Sequence, residues 1–209
     1  MKKVFIDGSA GTTGLRIFDR LHRRTDIQLL TLPESERKLE ASRKKMLNEA
    51  DVVFLCLPDD AACEAALWVE NPDTVVLDTS TAHRTAPGWC YGFPELSPVQ
   101  EARLRQAKRI AVPGCHASGF IALVYPLVSA GLLTPDALLS CYSLTGYSGG
   151  GKKMIAEYRA PERSFLLNAP RQYALGQTHK HLKEMKAVTG LANEPVFCPV
   201  VADFYSGMQ

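Results

Sequence analysis

The sequence predicts an α/β protein: a doubly wound parallel sheet of Rossmann type, followed by a second domain of mixed helices and strands. Three observations carry this prediction. Short apolar runs alternate with helical patterns through the first half of the chain. A glycine-rich turn follows the first of these runs. Cys115 then stands at a helix start after Pro113-Gly114, where the alternating pattern ends.

Val4-Phe5-Ile6-Asp7 reads as a buried first strand. Gly8-Ser9-Ala10-Gly11-Thr12-Thr13-Gly14 follows, then Leu15, Ile17, Phe18 and Leu21 at helical spacing. Strand, glycine turn and helix in this order mark a dinucleotide site. Gly8 permits the tight turn, Gly11 lets the backbone approach a pyrophosphate, and Gly14 lets the helix pack closely on the strand. The phosphates then meet the helix N-terminus. The spacing is G-x-x-G-x-x-G, not G-x-G-x-x-G, so a plain strand–helix turn is the competing reading.

A second strand is predicted over 27–32. It ends in Thr31-Leu32-Pro33, where an NAD site commonly places an acid. Ser35 and Arg37 suit a 2′-phosphate, Arg37 through its forked donors, while Glu34 and Glu36 oppose one. NADP is therefore preferred to NAD. Alternatively, Arg37 and Lys38 simply open an exposed helix that runs to Asn48.

Residues 51–57 form a third, continuously apolar strand, as a parallel sheet covered on both faces requires. Pro58 ends it, and Asp59 and Asp60 open a helix over 61–70. A fourth strand spans 74–80. Leu57, Pro58, Thr79 and Ser80 fall on the C-terminal strand edge, where ligands of such sheets bind; otherwise they are ordinary loop residues. The expected domains are 1–112 for the dinucleotide and 113–209 for catalysis. The second holds a helix over 117–130, a strand over 138–144, a glycine-rich loop, an irregular arm, a helix over 182–189 and a strand over 196–203.

A thiol at a helix start sees the positive end of the helix dipole and free backbone N–H groups, which favour the nucleophilic thiolate. Cys115 is therefore the candidate nucleophile. Ala117, Ser118 and Gly119 keep its surroundings small, against the commoner fate of a buried structural cysteine. Covalent chemistry needs an acid–base partner, and histidine suits neutral pH. His116 adjoins the nucleophile and is expected to point away. His179 and His181 can return in space, and Glu184 shares a helical face with His181, where it could orient the imidazole. One of the two is the expected acid–base group, with His181 slightly preferred; a solvent-facing stretch is the alternative. Arg84 is a substrate-anion clamp or a partner of Asp78. The run Ser143–Lys153 lacks the order of a phosphate loop.

The 209 residues are 46% hydrophobic and 22% charged, the balance of an ordinary globular protein. A net charge of +2 argues against a nucleic-acid partner. No apolar run approaches the roughly 18 residues of a membrane span. Six scattered cysteines without C-x-x-C spacing suggest a reducing, cytoplasmic setting and no metal site.

Five blocks resemble one family: Gly8-Ser9-Ala10-Gly11-Thr12-Thr13-Gly14-Leu15, Asp78-Thr79-Ser80-Thr81-Ala82-His83-Arg84, Tyr91-Gly92-Phe93-Pro94-Glu95-Leu96, Pro113-Gly114-Cys115 and His179-Lys180-His181-Leu182-Lys183-Glu184. They resemble the N-acetyl-gamma-glutamyl-phosphate reductases of the shorter type, relatives of the aspartate-semialdehyde dehydrogenases. The resemblance implies NADPH-dependent reduction of the acyl phosphate N-acetyl-L-glutamyl 5-phosphate through a Cys115 thioester, in arginine biosynthesis. It implies an α+β catalytic and dimerisation domain, hence a homo-oligomer (dimer or tetramer). It also implies that the His179–Glu184 block supplies the active-site imidazole. Ser148 and Gly149 are then expected beside nicotinamide or substrate. The family pattern continues for roughly a hundred residues more, so the second domain is expected to be incomplete, with an open sheet edge. The competing readings are an aspartate-semialdehyde dehydrogenase or other acyl-phosphate reductase, and an inactive nucleotide-binding subunit.

Overall fold

In the computed structural model, which describes residues 1–209, the first strand β1 (Lys2–Asp7) has its last four residues buried. Its neighbours follow from the alternation of apolar runs with helices: α1 (Thr12–Leu21), β2 (Ile27–Leu30), α2 (Glu40–Glu49), β3 (Val52–Leu55), α3 (Asp59–Leu67), β4 (Val75–Asp78), β5 (Cys90–Tyr91), α4 (Pro98–Gln106) and β6 (Arg109–Ala111). The six strands form one sheet in the order β2-β1-β3-β4-β6-β5, and every pairing is parallel. The chain leaves β1 toward β2 and returns to β3 on the other side. This puts a topological switch at the C-terminal ends of β1 and β3, beside the glycine turn.

Two expectations change here. Val53, Leu55 and Val76 are fully buried against Leu47 of α2 and Ala65 of α3, but Val52, Phe54, Val75 and Leu77 are only partly buried. The apolar strands are thus covered fully on one face and partly on the other. Right-handed crossovers put α2 and α3 together on the first face and α1 on the second. Leu15 of α1 stays 44% exposed. Arg37 and Lys38 do not open a helix. They lie in a turn closed by Glu36 N–H to the Pro33 carbonyl and Leu39 N–H to the Glu36 carbonyl, and α2 begins at Glu40.

Asp7 and Arg43 make a buried ion pair at the end of β1, 2.9 Å apart, and the Arg43 guanidinium also lies over the Trp68 ring. It ties β1 to α2, two elements that frame the switch.

The chain divides into two compact units, Met1–Pro113 and Gly114–Gln209. The second comprises α5 (Cys115–Ser129), β7 (Ser140–Gly146), α6 (Gly151–Arg159), β8 (Arg171–Gln172), α7 (His181–Thr189) and β9 (Val196–Ala202). Its three-stranded sheet runs β7-β9-β8, with β7 parallel and β8 antiparallel to β9. Registered neighbours share a face, so Phe197 (1% exposed) turns to the core with Cys141 and Ser143, while Tyr142 (69%) and Val196 (58%) turn outward. Along the free side of β7, the amides of Leu144 and Gly146 donate to the carbonyls of Gln209 and Gly207. The short strands β5, β6 and β8 had no clear signature in the sequence. The glycine run is ordered: Tyr147–Gly150 forms a 3-10 turn that leads directly into α6, and Gly151 adopts φ +75°, a conformation open to glycine.

Candidate active site

Gly114 is extended and Cys115 is the first residue of α5, a 15-residue helix. Gly114 cannot cap the helix with a side chain, so it satisfies none of the first-turn amides around Cys115. The Gly114 N–H donates to Glu184 Oε1 at 2.8 Å. Glu184 is 2% exposed and lies in the first turn of α7, one turn after His181. A single buried carboxylate therefore fixes the turn before the cysteine to the helix that carries the histidine.

A cavity of about 260 Å³ opens over this junction. Cys115, His116, Thr145, Gly149, Tyr173, His179 and His181 are among the residues that line it. Cys115 is exposed, whereas burial pushes the Cys56 thiol up to about 11 and raises that of Cys141. Exposure thus separates Cys115 from these buried thiols, and its place in the cavity separates it from Cys63, which is exposed on α3.

His116 corrects an expectation. It does not turn away from the site but is buried and lines the same cavity as Cys115. Its Nδ1 lies 2.8 Å from Ser143 Oγ and its Nε2 lies 2.8 Å from the Tyr173 hydroxyl. Burial, then the neighbouring charge of His179, push its pKa down to about 4. Tyr173 is pushed up to about 12 by burial and by the charge of Cys115. His179 and His181 both line the cavity, with ring centroids 4.6 Å apart and each within 6 Å of His116. The His181 backbone N–H donates to His179 Nδ1 at 3.2 Å. No periodicity pointed to His116, Tyr173 or Thr145. Only the adjacency of His116 to Cys115 was available as a signal.

The glycine turn of the first unit fits a pyrophosphate. Gly8 has φ +84°, and a Cβ there would strike the Cys56 carbonyl. A Cβ on Gly14 would come within 2.7 Å of Ser9 Cα, so Gly14 packs as close as the backbone allows. The Gly11 N–H donates to the Gly8 carbonyl at 3.0 Å, and α1 then starts at Thr12 with no side-chain cap. The amides of Thr12 and Thr13 at this helix start, beside Ser9 and Ala10, form the kind of donor set that anions use. Ser35 and Arg37 are exposed in the turn after β2. Pro58 precedes α3 as its N-cap, with Leu57 half-buried before it. The neighbouring Ser80 is turned inward: its amide and hydroxyl both donate to Asp78.

Asp78 also holds His83 Nδ1 at 2.6 Å, and the Arg84 guanidinium donates to the carbonyls of Val112 and Thr79. In the second unit Gly149 lines the cavity, while the Ser148 amide donates to the Tyr205 carbonyl. Arg163 is engaged by Asp203, and Arg171 donates to Tyr158.

The comparisons with known proteins agree with this division. Residues 3–104 match the family model "Semialdehyde dehydrogenase, NAD binding domain", and residues 115–209 match "Semialdehyde dehydrogenase, dimerisation domain". The first unit is thus of a nicotinamide-dinucleotide-binding kind. Curated relatives named N-acetyl-gamma-glutamyl-phosphate reductase include those of Chelativorans sp., 49% identical over 99% of this chain and 66% of the relative, and Trichormus variabilis, 46% identical over 99% and 65%. That of Rhizobium meliloti is 47% identical over 99% of this chain and 67% of its own length. The chain therefore spans about two thirds of the length of these relatives. Among solved structures, aspartate semialdehyde dehydrogenase II of Vibrio cholerae aligns with a TM-score of 0.70 at 15% identity, over 100% of this chain and 72% of that one. At that identity the likeness concerns the fold. No helix is long and apolar enough to cross a membrane.

Proposed function

The chain belongs to the N-acetyl-gamma-glutamyl-phosphate reductase family, and from that premise we propose that it reduces N-acetyl-L-glutamyl 5-phosphate with NADPH to N-acetyl-L-glutamate 5-semialdehyde and phosphate. The step would belong to cytoplasmic arginine biosynthesis. The observation that carries the proposal is Cys115, exposed at the start of α5 in a cavity that it shares with His179 and His181. The Cys115 thiolate attacks the acyl carbon. The bond from that carbon to the phosphate oxygen breaks, and phosphate leaves with the electron pair, giving a thioester. His179 or His181 gives a proton to the departing phosphate. NADPH, held by the first unit, would supply the hydride needed to reduce the thioester to a tetrahedral oxyanion on Cys115. Collapse of that oxyanion breaks the carbon–sulfur bond, releases the aldehyde and restores the thiolate.

Glu184 holds the Gly114 peptide, and with it the start of α5, in register with α7. The turn Gly8–Gly14, with Ser9, Ala10, Thr12 and Thr13, would hold the cofactor phosphates, and Ser35 and Arg37 would take the 2′-phosphate that distinguishes NADP from NAD. Leu57, Pro58 and Ser80 would border the dinucleotide on the strand edge, with Ser80 shaping the loop through Asp78. Ser148 and Gly149 belong to the substrate side, and Arg84 steadies the edge through the Val112 carbonyl.

The decisive experiment is intact-protein mass spectrometry after mixing the chain with N-acetyl-L-glutamyl 5-phosphate in the absence of NADPH. An N-acetylglutamyl adduct on Cys115, lost in Cys115→Ala, is expected. An equal adduct from aspartyl phosphate would favour the aspartate-semialdehyde reading. No adduct from either, in a chain that a separate titration shows to bind NADPH, would leave only a nucleotide-binding subunit.

A further inference from the structure

The cavity contains one polar chain that the proposed reaction does not yet use. Ser143 Oγ, the His116 ring and the Tyr173 hydroxyl stand in line at 2.8 Å and 2.8 Å, and the last lies on the wall that also carries Cys115. A hydrogen-bond chain of this kind has two polarities, and burial decides between them.

The Ser143 hydroxyl is buried, and His116 Nδ1 is its one side-chain partner. If Nδ1 carried the proton, it would donate to Ser143, and the buried Ser143 O–H would be left without a side-chain acceptor, an unfavourable arrangement. The Ser143 hydroxyl therefore donates to Nδ1. A neutral imidazole with an accepting Nδ1 carries its proton on Nε2. That N–H donates to the Tyr173 oxygen, which leaves the phenolic proton to point elsewhere. His116 is held neutral by burial and by the nearby His179, with a pKa of about 4, so this polarity persists at neutral pH. Tyr173 keeps its proton as well, its pKa being about 12, and its ionisation is opposed by the charge of Cys115, which sets the phenol within that sulfur's field.

We propose that Ser143 and His116 are positioning residues that aim the Tyr173 hydroxyl proton at the carbonyl oxygen of the acyl group on Cys115, making Tyr173 a catalytic hydrogen-bond donor to the oxyanion. The inference rests on the acyl-transfer reading above. It assigns Tyr173 no net proton transfer: the donor strengthens its bond as charge gathers on oxygen during attack and hydride addition, and relaxes on collapse. A neutral relay placed in advance needs little reorganisation, which is where such donors gain their effect.

The first test needs no turnover. In the full chain labelled with nitrogen-15 in histidine, His116 is assigned by its loss in His116→Gln. Its neutral Nε2–H tautomer is expected, and a proton on Nδ1 would overturn the relay. The second is Tyr173→Phe, which keeps the ring. The expected result is a fall in kcat of about 100-fold or more with KM changed less than about threefold, the pattern of a donor felt in the transition state. Unchanged kcat in a variant that still forms the Cys115 adduct would remove the donor role and leave the acyl-transfer proposal intact. Absence of the adduct in the unsubstituted chain would instead remove the acyl-transfer proposal, and the Tyr173 role with it.

Discussion

Cys115 owes its setting to two neighbours that sequence distance conceals. Glu184 lies 69 positions away yet bonds to the peptide immediately before it, and His116, adjacent in sequence, turns into the same cavity. His116 also gives the molecule a pH signature. Its pKa is about 4 in the folded protein, against an ordinary 6.5. Between these values the unfolded chain binds a proton that the folded chain refuses. Its contribution to stability is therefore fully present above pH 6.5 and is lost as pH falls toward 4. The loss is on the order of 3 kcal/mol at most. Urea denaturation at stepped pH should show this slope, and His116→Asn should flatten it within that window. A slope of equal size in the variant would assign the effect to His179, His181 or another nearby group.

The glycine turn and α1 act together as an element. Gly8 supplies a left-handed φ and a close approach to the Cys56 carbonyl, while Gly14 seats the helix on Ser9. A side chain at Gly8 meets both a strained backbone and a fixed carbonyl. Gly8→Ala should therefore destabilise the protein by about 2 kcal/mol or more and weaken NADPH binding. Chemical denaturation and titration calorimetry measure the two effects, and a fully stable variant with normal NADPH affinity would contradict the cradle. The glycine spacing and the change from a continuous apolar run to helical spacing were readable in the chain, because both arise within a few neighbouring residues. The onset of α2 was not readable. Glu36 bonds to Ser42 and to the Leu39 amide, and these contacts hold Arg37 and Lys38 in a turn despite their helical propensity.

At the scale of the whole molecule, each unit carries one part of the proposed chemistry: a dinucleotide turn in the first, the thiol and imidazoles in the second. The second also shows outward apolar side chains, Tyr142 on β7 and Val196 on β9, which turn to the same face of the sheet. Apolar side chains this exposed on a sheet face are the kind that association covers. The proposed homo-oligomer should appear in sedimentation velocity at micromolar concentration. Tyr142→Asp combined with Val196→Asp should shift it to monomer. A sedimentation coefficient unchanged by the double substitution would place the contact elsewhere.

Local patterning was sufficient for the parallel α/β sheet and the strand–glycine turn–helix unit, and it offered Cys115, His179 and His181 as candidates that the family resemblance sharpened. Each depends on residues a few positions apart, whose spacing sets which side chains share a face or a turn. Long-range contact was needed for the rest. Burial made His116 neutral and placed it between Ser143 and Tyr173, which lie 27 and 57 positions away. It also joined Asp78 to His83, and left one face of the first sheet only partly covered. Those outcomes depend on which distant groups exclude water from one another, and a buried polar group takes the partner that packing brings within reach.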